Sequence, residues 1–354
     1  MLASCGATSA SNGTKSKKPP LKVAYLFDGS VTDGSFNQMN NDNRLAVKRY
    51  FGARIQTTYK ENVPQGPGVV QIAQQFITEG YKLIFATSAG WTSYLDPLAK
   101  ANPGVRFEEF SGTSTLSNFG TYQVDLSGAN YVTGMMLAAA SRTGTLGFVG
   151  SFPIPPLLNT INATELGARA VNPNATIKVS FVDSFYSPPA ETQAAQALIS
   201  SGVDAIIDDQ NDAAVCVYAQ SKGVPCVGNT LFNGPSYGPT TFLTDFRYNW
   251  FGTEKEVIQD VLTGHSVPHS IFPGYRQGAA DFGPLGASYD KWVSTKVRGE
   301  IKTKEAALKS GSFHVYSGPI TDRSGTLRVR SGATLSTSSI ESFNWVVQGV
   351  IGTI

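Results

Sequence analysis

Five aromatic residues fall where short apolar runs give way to turns: Phe36, Trp91, Phe152, Phe185 and Trp250. A flat ligand held between two facing rings gains stacking energy and leaves water, so rings at strand ends suit the capture of a planar heterocycle. Short polar side chains stand around them: Asp28, Asp33 and Asn37 by the first ring, Thr87 and Ser88 before Trp91, and Asn211 and Asn229 further on. Amides and carboxylates together can read donor and acceptor edges. For Trp91, Phe152 and Trp250, packing in a core or between lobes is an equal alternative. Phe36 and Phe185 sit among polar loop residues, so replacing either with alanine is expected to weaken binding without unfolding the protein.

Other chemistries find little support. Asp208 and Asp209 form a carboxylate pair capable of acid-base work, but at a strand end such a pair more often hydrogen-bonds a ligand or caps a helix. His265, His269 and His314 are the only histidines, and Pro268 argues against helical presentation of the first two to a metal. Gly66-Pro67-Gly68 is followed by Gln71 where a dinucleotide fingerprint needs a third glycine, and no Gly-Lys-Ser/Thr P-loop occurs. A Gly-x-Ser-x-Gly elbow is also missing. No cofactor and no catalytic set are expected; a hydrolase using Asp208 or Asp209 as base is the enzymatic alternative.

The elements that must position these residues follow from hydrophobic patterning. Apolar runs at 23–27, 55–59 and 83–86 alternate with amphipathic stretches near 37–50 and 68–79, a repeated βα rhythm that builds a parallel sheet covered by helices. The rhythm restarts after Gly144, with strands at 146–149, 177–182, 205–207 and 224–227 and helices near 157–170, 190–200 and 212–221. Two similar lobes are expected, with their loops gathered at the C-terminal ends of the strands, where α/β sheets bind ligands. Beyond residue 240 the alternation weakens to helices near 249–262 and 289–309 and a hairpin around Asp322-Arg323-Ser324-Gly325. The simplest path returns to the first lobe and then to the second. That assigns 21–125 plus about 245–280 to lobe one, and 126–244 plus about 281–354 to lobe two.

With 354 residues, 41% of them apolar, the chain can fill two cores. Lys and Arg exceed Asp and Glu by only 2, 28 against 26, too little to drive binding to nucleic acid. No run of about 18 apolar residues offers a membrane span. Cys216 and Cys226 read as two free, buried, small apolar side chains, with a bridge possible in an oxidising compartment. Leu2-Ala3-Ser4-Cys5 has the small-residue pattern that precedes a lipid-modified cysteine, and residues 6–20 read as a flexible tether. A longer precursor is expected, because the basic and apolar regions of a signal peptide are missing upstream. Cys5 is thus the candidate lipidation site, and a tethered pair of hinged lobes suggests an extracytoplasmic solute-binding protein.

Four stretches resemble the basic membrane protein (BMP) family of ABC-transporter substrate-binding lipoproteins: Asp33-Gly34-Ser35-Phe36-Asn37-Gln38, Thr57-Thr58-Tyr59-Lys60-Glu61-Asn62-Val63-Pro64, Gly150-Ser151-Phe152-Pro153-Ile154-Pro155, and Tyr316-Ser317-Gly318-Pro319-Ile320 through Asp322. The resemblance implies a type I periplasmic-binding fold of two doubly wound parallel-sheet lobes joined by a hinge. It also implies a purine nucleobase or nucleoside ligand, ABC permease subunits as partners, and a lipid anchor. Phe36 then looks like the stacking ring of lobe one, with Asn37 or Asp33 as its hydrogen-bonding neighbour, and Phe185 like the ring of lobe two. The chain departs from the family at Ser187-Pro188 and at Asp209-Gln210-Asn211-Asp212, where adenine-binding relatives carry other polar residues. Such changes alter which edge of a base is read. A sensor domain of the same fold is the alternative to transport.

Overall fold

The computed structural model describes residues 18–354, so Cys5 and the tether as far as residue 17 lie outside the described residues. Strand and helix alternate through β1 (Leu21–Leu26), α1 (Phe36–Phe51), β2 (Ile55–Lys60), α2 (Gly68–Thr78), β3 (Leu83–Ala86), α3 (Thr92–Ala101), β4 (Arg106–Phe110) and β5 (Phe119–Tyr122). A second series runs α4 (Ser127–Ala140), β6 (Thr145–Gly150), α5 (Pro155–Val171), β7 (Thr176–Phe181), α6 (Pro188–Ser200), β8 (Ala205–Asp209), α7 (Ala214–Lys222), β9 (Cys226–Asn229), α8 (Gly234–Tyr237) and β10 (Phe242–Tyr248). The remainder comprises α9 (Phe251–Thr263), β11 (Ser270–Ile271), β12 (Ala280–Phe282), α10 (Tyr289–Trp292), α11 (Thr295–Ser310), β13 (Ile320–Thr321), β14 (Leu327–Val329), α12 (Thr337–Glu341) and β15 (Val350–Ile351).

Two sheets result, ordered β11-β5-β4-β3-β1-β2 and β12-β10-β9-β8-β6-β7-β15. All pairings within them are parallel except β10 with β12. Both faces of these strands are covered, which is why β3 and β8 are buried along their whole length. Alternate residues of β1 serve different cores: Val23 and Tyr25 join the large cluster that spans both lobes, whereas Ala24 and Leu26 join the cluster under α2 and α3. The chain passes between the sheets after β5, after β10 and after β11. β10 keeps it in the second sheet as far as Tyr248 before α9 packs on α1 of the first.

α4 is buried on nearly every side. It meets α5 at a reciprocal glycine contact, Gly134 against the Thr164 carbonyl and Gly167 against the Tyr131 carbonyl, where a Cβ on either glycine would overlap backbone. The expected helix over 289–309 is two helices. Val293 leaves helical geometry and Ser294 caps α11, its Oγ accepting from the Val297 amide at 3.4 Å. The expected hairpin near residue 323 is β13–β14, with Asp322 Oδ1 accepting from the Ser324 and Thr326 amides. The reading of Cys216 and Cys226 as free thiols is corrected: α7 lies directly against β9, bringing the two Cα atoms to 5.4 Å, and the residues form a disulfide.

Candidate functional site

The loop after β1 is built around Asp33. Its Oδ1 accepts from the amides of Ser35 and Gln38 at 2.9 and 3.0 Å, and its Oδ2 accepts from the amide and the side-chain Nδ2 of Asn37 at 3.0 and 3.1 Å. Asp33 therefore satisfies the orphan donors at the start of α1 and spends both oxygens doing so. Gly34 turns the chain at φ +76, where an L side chain is strained, and so delivers Phe36 as the first residue of α1. Phe36 is not a loop ring: it is 7% exposed and meets Phe110, Tyr248 and Trp250 edge-to-face at centroid distances of 5.6, 5.7 and 5.3 Å. The expectation that it could be truncated without loss of stability fails for that reason.

Asp28, two residues beyond β1, accepts from Ser88 Oγ at 2.7 Å and from Gln65 Nε2 at 3.4 Å, while its Oδ1 is buried without a partner. Burial raises its carboxyl above the ordinary range, against the lowering by those hydrogen bonds. From the second lobe, the loops after β6 and β7 bring Phe152 and Phe185 together edge-to-face, 5.0 Å between centroids. The Asn211 amide donates to the Phe185 carbonyl at 3.1 Å, tying the loop after β8 to the ring's backbone. Asp209 closes β8 and accepts from Asn229 Nδ2 at 2.8 Å; burial pushes its carboxyl up to about 7, with the Asn229 bond opposing.

A cleft of about 1400 Å³ opens between these loops, with Asp28, Asp33 and Asn37 on the first-lobe wall and Phe152, Phe185 and Asn211 on the other. At its base a constricted inner pocket of about 40 Å³ is lined by Phe36, Ser88 and Asp28 from one side and by Phe185, Asn211 and Asn229 from the other. Nine of the sequence candidates thus meet at one place. Thr87, Trp91 and Trp250 do not line it. Thr87 is fully buried with its hydroxyl donated to the Leu26 carbonyl, and Trp91 lies in the core under α2 and α3, its indole N–H donated to the Pro64 carbonyl. Trp250 is fully buried and stacks on Tyr248 at 4.7 Å with rings 5° apart, one layer behind Phe36. Phe110, Ser151 and Tyr248 line the inner pocket and were not among the sequence candidates, and Asp209, read there as half of a carboxylate pair, lines it with them. Phe110 and Tyr248 both occupy strand ends, the same signal that singled out the other rings.

Residues 21–229 match the family Bmp, described as ABC transporter substrate-binding protein, PnrA-like. The chain belongs to that family. A purine-binding protein of Brucella abortus is 30% identical over 341 residues, spanning 96% of this chain and 95% of its own. A Haloferax volcanii protein named, provisionally, as an ABC transporter glucose-binding protein is 26% identical over 86% of this chain and 76% of its own. An ABC transporter solute-binding protein of Aeropyrum pernix has the same fold, with TM-score 0.69 at 16% identity over 91% of this chain and 96% of that one. As a Bmp-family member the chain is an extracytoplasmic ABC transporter substrate-binding protein, with a small-molecule ligand and permease partners. Family membership favours transport over the sensing and hydrolase alternatives.

Proposed function

We propose that the protein captures a purine base or nucleoside between its lobes and presents it to the permease. What carries the reading is that Phe36 and Phe185, from different lobes, line one inner pocket together with the carboxyls of Asp28 and Asp209. Rings from opposite lobes can clamp the two faces of a base, and carboxyls and amides around its rim can read its edge. The naming of the Brucella relative for purine binding supports the same ligand class. At about 40 Å³ the inner pocket is narrower than a base, so a base enters through the wide cleft while the lobes stand apart, and their closure brings the loops bearing Phe152 and Phe185 over it. Asn37 and Asp33 serve in this reading by holding the Phe36 turn, and Trp250 by backing the ring. The lobes hinge on the segments between the sheets, and Cys5 carries the lipid that holds the protein at the membrane. Mass spectrometry of small molecules released from the denatured native protein tests the proposal. A purine at near-equal molar amount supports it; a sugar would overturn it.

A further inference from the structure

Two carboxyls of the inner pocket keep an oxygen without a partner among the described residues, Asp28 Oδ1 and Asp209 Oδ2, and that of Asp209 is aimed by a run of hydrogen bonds that reaches the opposite lobe. Asp209 is 6% exposed, and its Oδ1 accepts from Asn229 Nδ2 at 2.8 Å. Asn229 is itself 5% exposed and held in turn: Thr230 Oγ donates to its Oδ1 at 2.8 Å, and Ser35 Oγ, from the opposite lobe, donates to its backbone carbonyl at 3.1 Å. A second crossing bond, from the Phe232 amide to the Gly34 carbonyl at 2.9 Å, fixes the same pair of loops. The Asn229 amide cannot turn over, because that would bring its oxygen against Asp209 Oδ1. Asn229 spends one Nδ2 proton on Asp209 and accepts once at Oδ1, so its amide is fixed in orientation while its second Nδ2 proton stays available beside Asp209. Asp209 Oδ2 makes no hydrogen bond among the described residues, and Asp209 lines the inner pocket with Phe36 and Phe185.

We propose that Asp209 Oδ2 reads the hydrogen-bonding edge of the bound purine, and that Asn229, Thr230 and Ser35 are positioning residues that aim it. This rests on the purine reading above. An ionised Asp209 accepts from an exocyclic amino group or a ring N–H; a protonated one donates to a ring nitrogen. The titratable groups facing it are Asp28 across the pocket, Asp208 beside it and Tyr248 of β10. Among the described residues, no Lys, Arg or His lines the inner pocket or the cleft, and none of them pairs with the carboxylate there. Because burial holds Asp209 near pH 7, its preference should pass from acceptor-bearing to donor-bearing edges as pH rises through neutrality.

The test is calorimetric titration of the whole protein with adenine and with unsubstituted purine, which lacks the amino group, from about pH 6 to 8.5, a window that brackets the Asp209 carboxyl. In the wild type the ratio of adenine to purine affinity should rise with pH. In Asp209→Asn the Asn229 donor still requires the acceptor oxygen, so the new amide presents N–H₂ to the pocket. The ratio should then fall by at least about tenfold and lose its pH dependence, the lower end of what a hydrogen bond to a charged group is worth. Thr230→Val should lower the ratio in the same direction while Thr230→Ser retains it, a difference that loss of general stability would not produce. A wild type that binds purines with a ratio independent of pH, or an Asp209→Asn protein that leaves ratio and pH profile unchanged, overturns the assignment and leaves the purine reading standing. A wild type that binds neither compound removes both.

Discussion

Truncating the two pocket rings should have different consequences, because one is part of the core and the other is not. Phe36 is 7% exposed and touches three rings edge-to-face. Phe36→Ala leaves a cavity among them, a loss of roughly 3 to 5 kcal/mol for a buried Phe→Ala. Phe185 is half-buried, with Phe152 as its single ring neighbour, so Phe185→Ala should cost about 1 to 2 kcal/mol on the same scale. Stacking on a base is worth about 1 to 3 kcal/mol per ring, so each variant should bind purine roughly 5-fold to 150-fold more weakly. A thermal melt is paired with calorimetric titration at a temperature where all variants remain folded. Phe36→Ala should lower both the melting temperature and the affinity; Phe185→Ala should lower mainly the affinity. A Phe36→Ala protein that melts with the wild type would mean that the ring is not held in the core. Undiminished purine affinity in Phe185→Ala would remove that ring from the clamp.

Three further outcomes follow from the packing. The Cys216–Cys226 disulfide closes a short loop of sequence separation 10, so reduction or the double Cys→Ser variant should cost about 2 to 3 kcal/mol, visible as a lower melting temperature with and without reductant. Gly134→Ala or Gly167→Ala should force α4 and α5 apart and destabilise the protein by more than the few tenths of a kcal/mol typical of surface changes; a melt indistinguishable from wild type would sink the close-contact explanation. Glu254 is fully buried beneath Tyr25, whose hydroxyl donates to it at 2.9 Å, and burial raises its carboxyl from 4.5 to about 8. Between those values the native state holds a proton that the unfolded chain has released. Stability should therefore fall as pH rises from about 5 to 8, by about 1.4 kcal/mol per pH unit for each such group. Glu254→Gln keeps a hydrogen-bond acceptor for Tyr25 and should flatten that fall; an unchanged slope would show that Glu254 does not hold the proton.

The βα rhythm was readable because β1, β3, β6 and β8 are short apolar runs flanked by helices with one polar face. α4 gives no such signal: buried around almost its whole circumference, it has no polar stripe and so no period to detect. At the site, residue type and strand-end position were enough to gather Phe36, Phe152, Phe185 and the amides around them. They could not separate a ring that lines a pocket from one a layer deeper, since Trp250 and Tyr248 stand two residues apart and differ only in the side of the stack they occupy. Asp33 illustrates a second limit. Its acid looks like a ligand group in sequence, yet both oxygens are consumed by the start of α1. Asp209 was visible as one of a carboxylate pair, but only the Asn229 bond and the neighbouring Phe36 give it a direction.

If the cleft between the lobes is a purine trap, its ligand preference and its closure should appear together. Both can be read from one set of samples: purified protein, stripped of any bound molecule, titrated with adenine, adenosine and glucose while small-angle scattering follows its size. Saturable binding of adenine or adenosine at one per chain is expected, with a smaller radius of gyration on binding and no heat from glucose. Binding of glucose with no response to either purine would show that the cleft is not a purine trap.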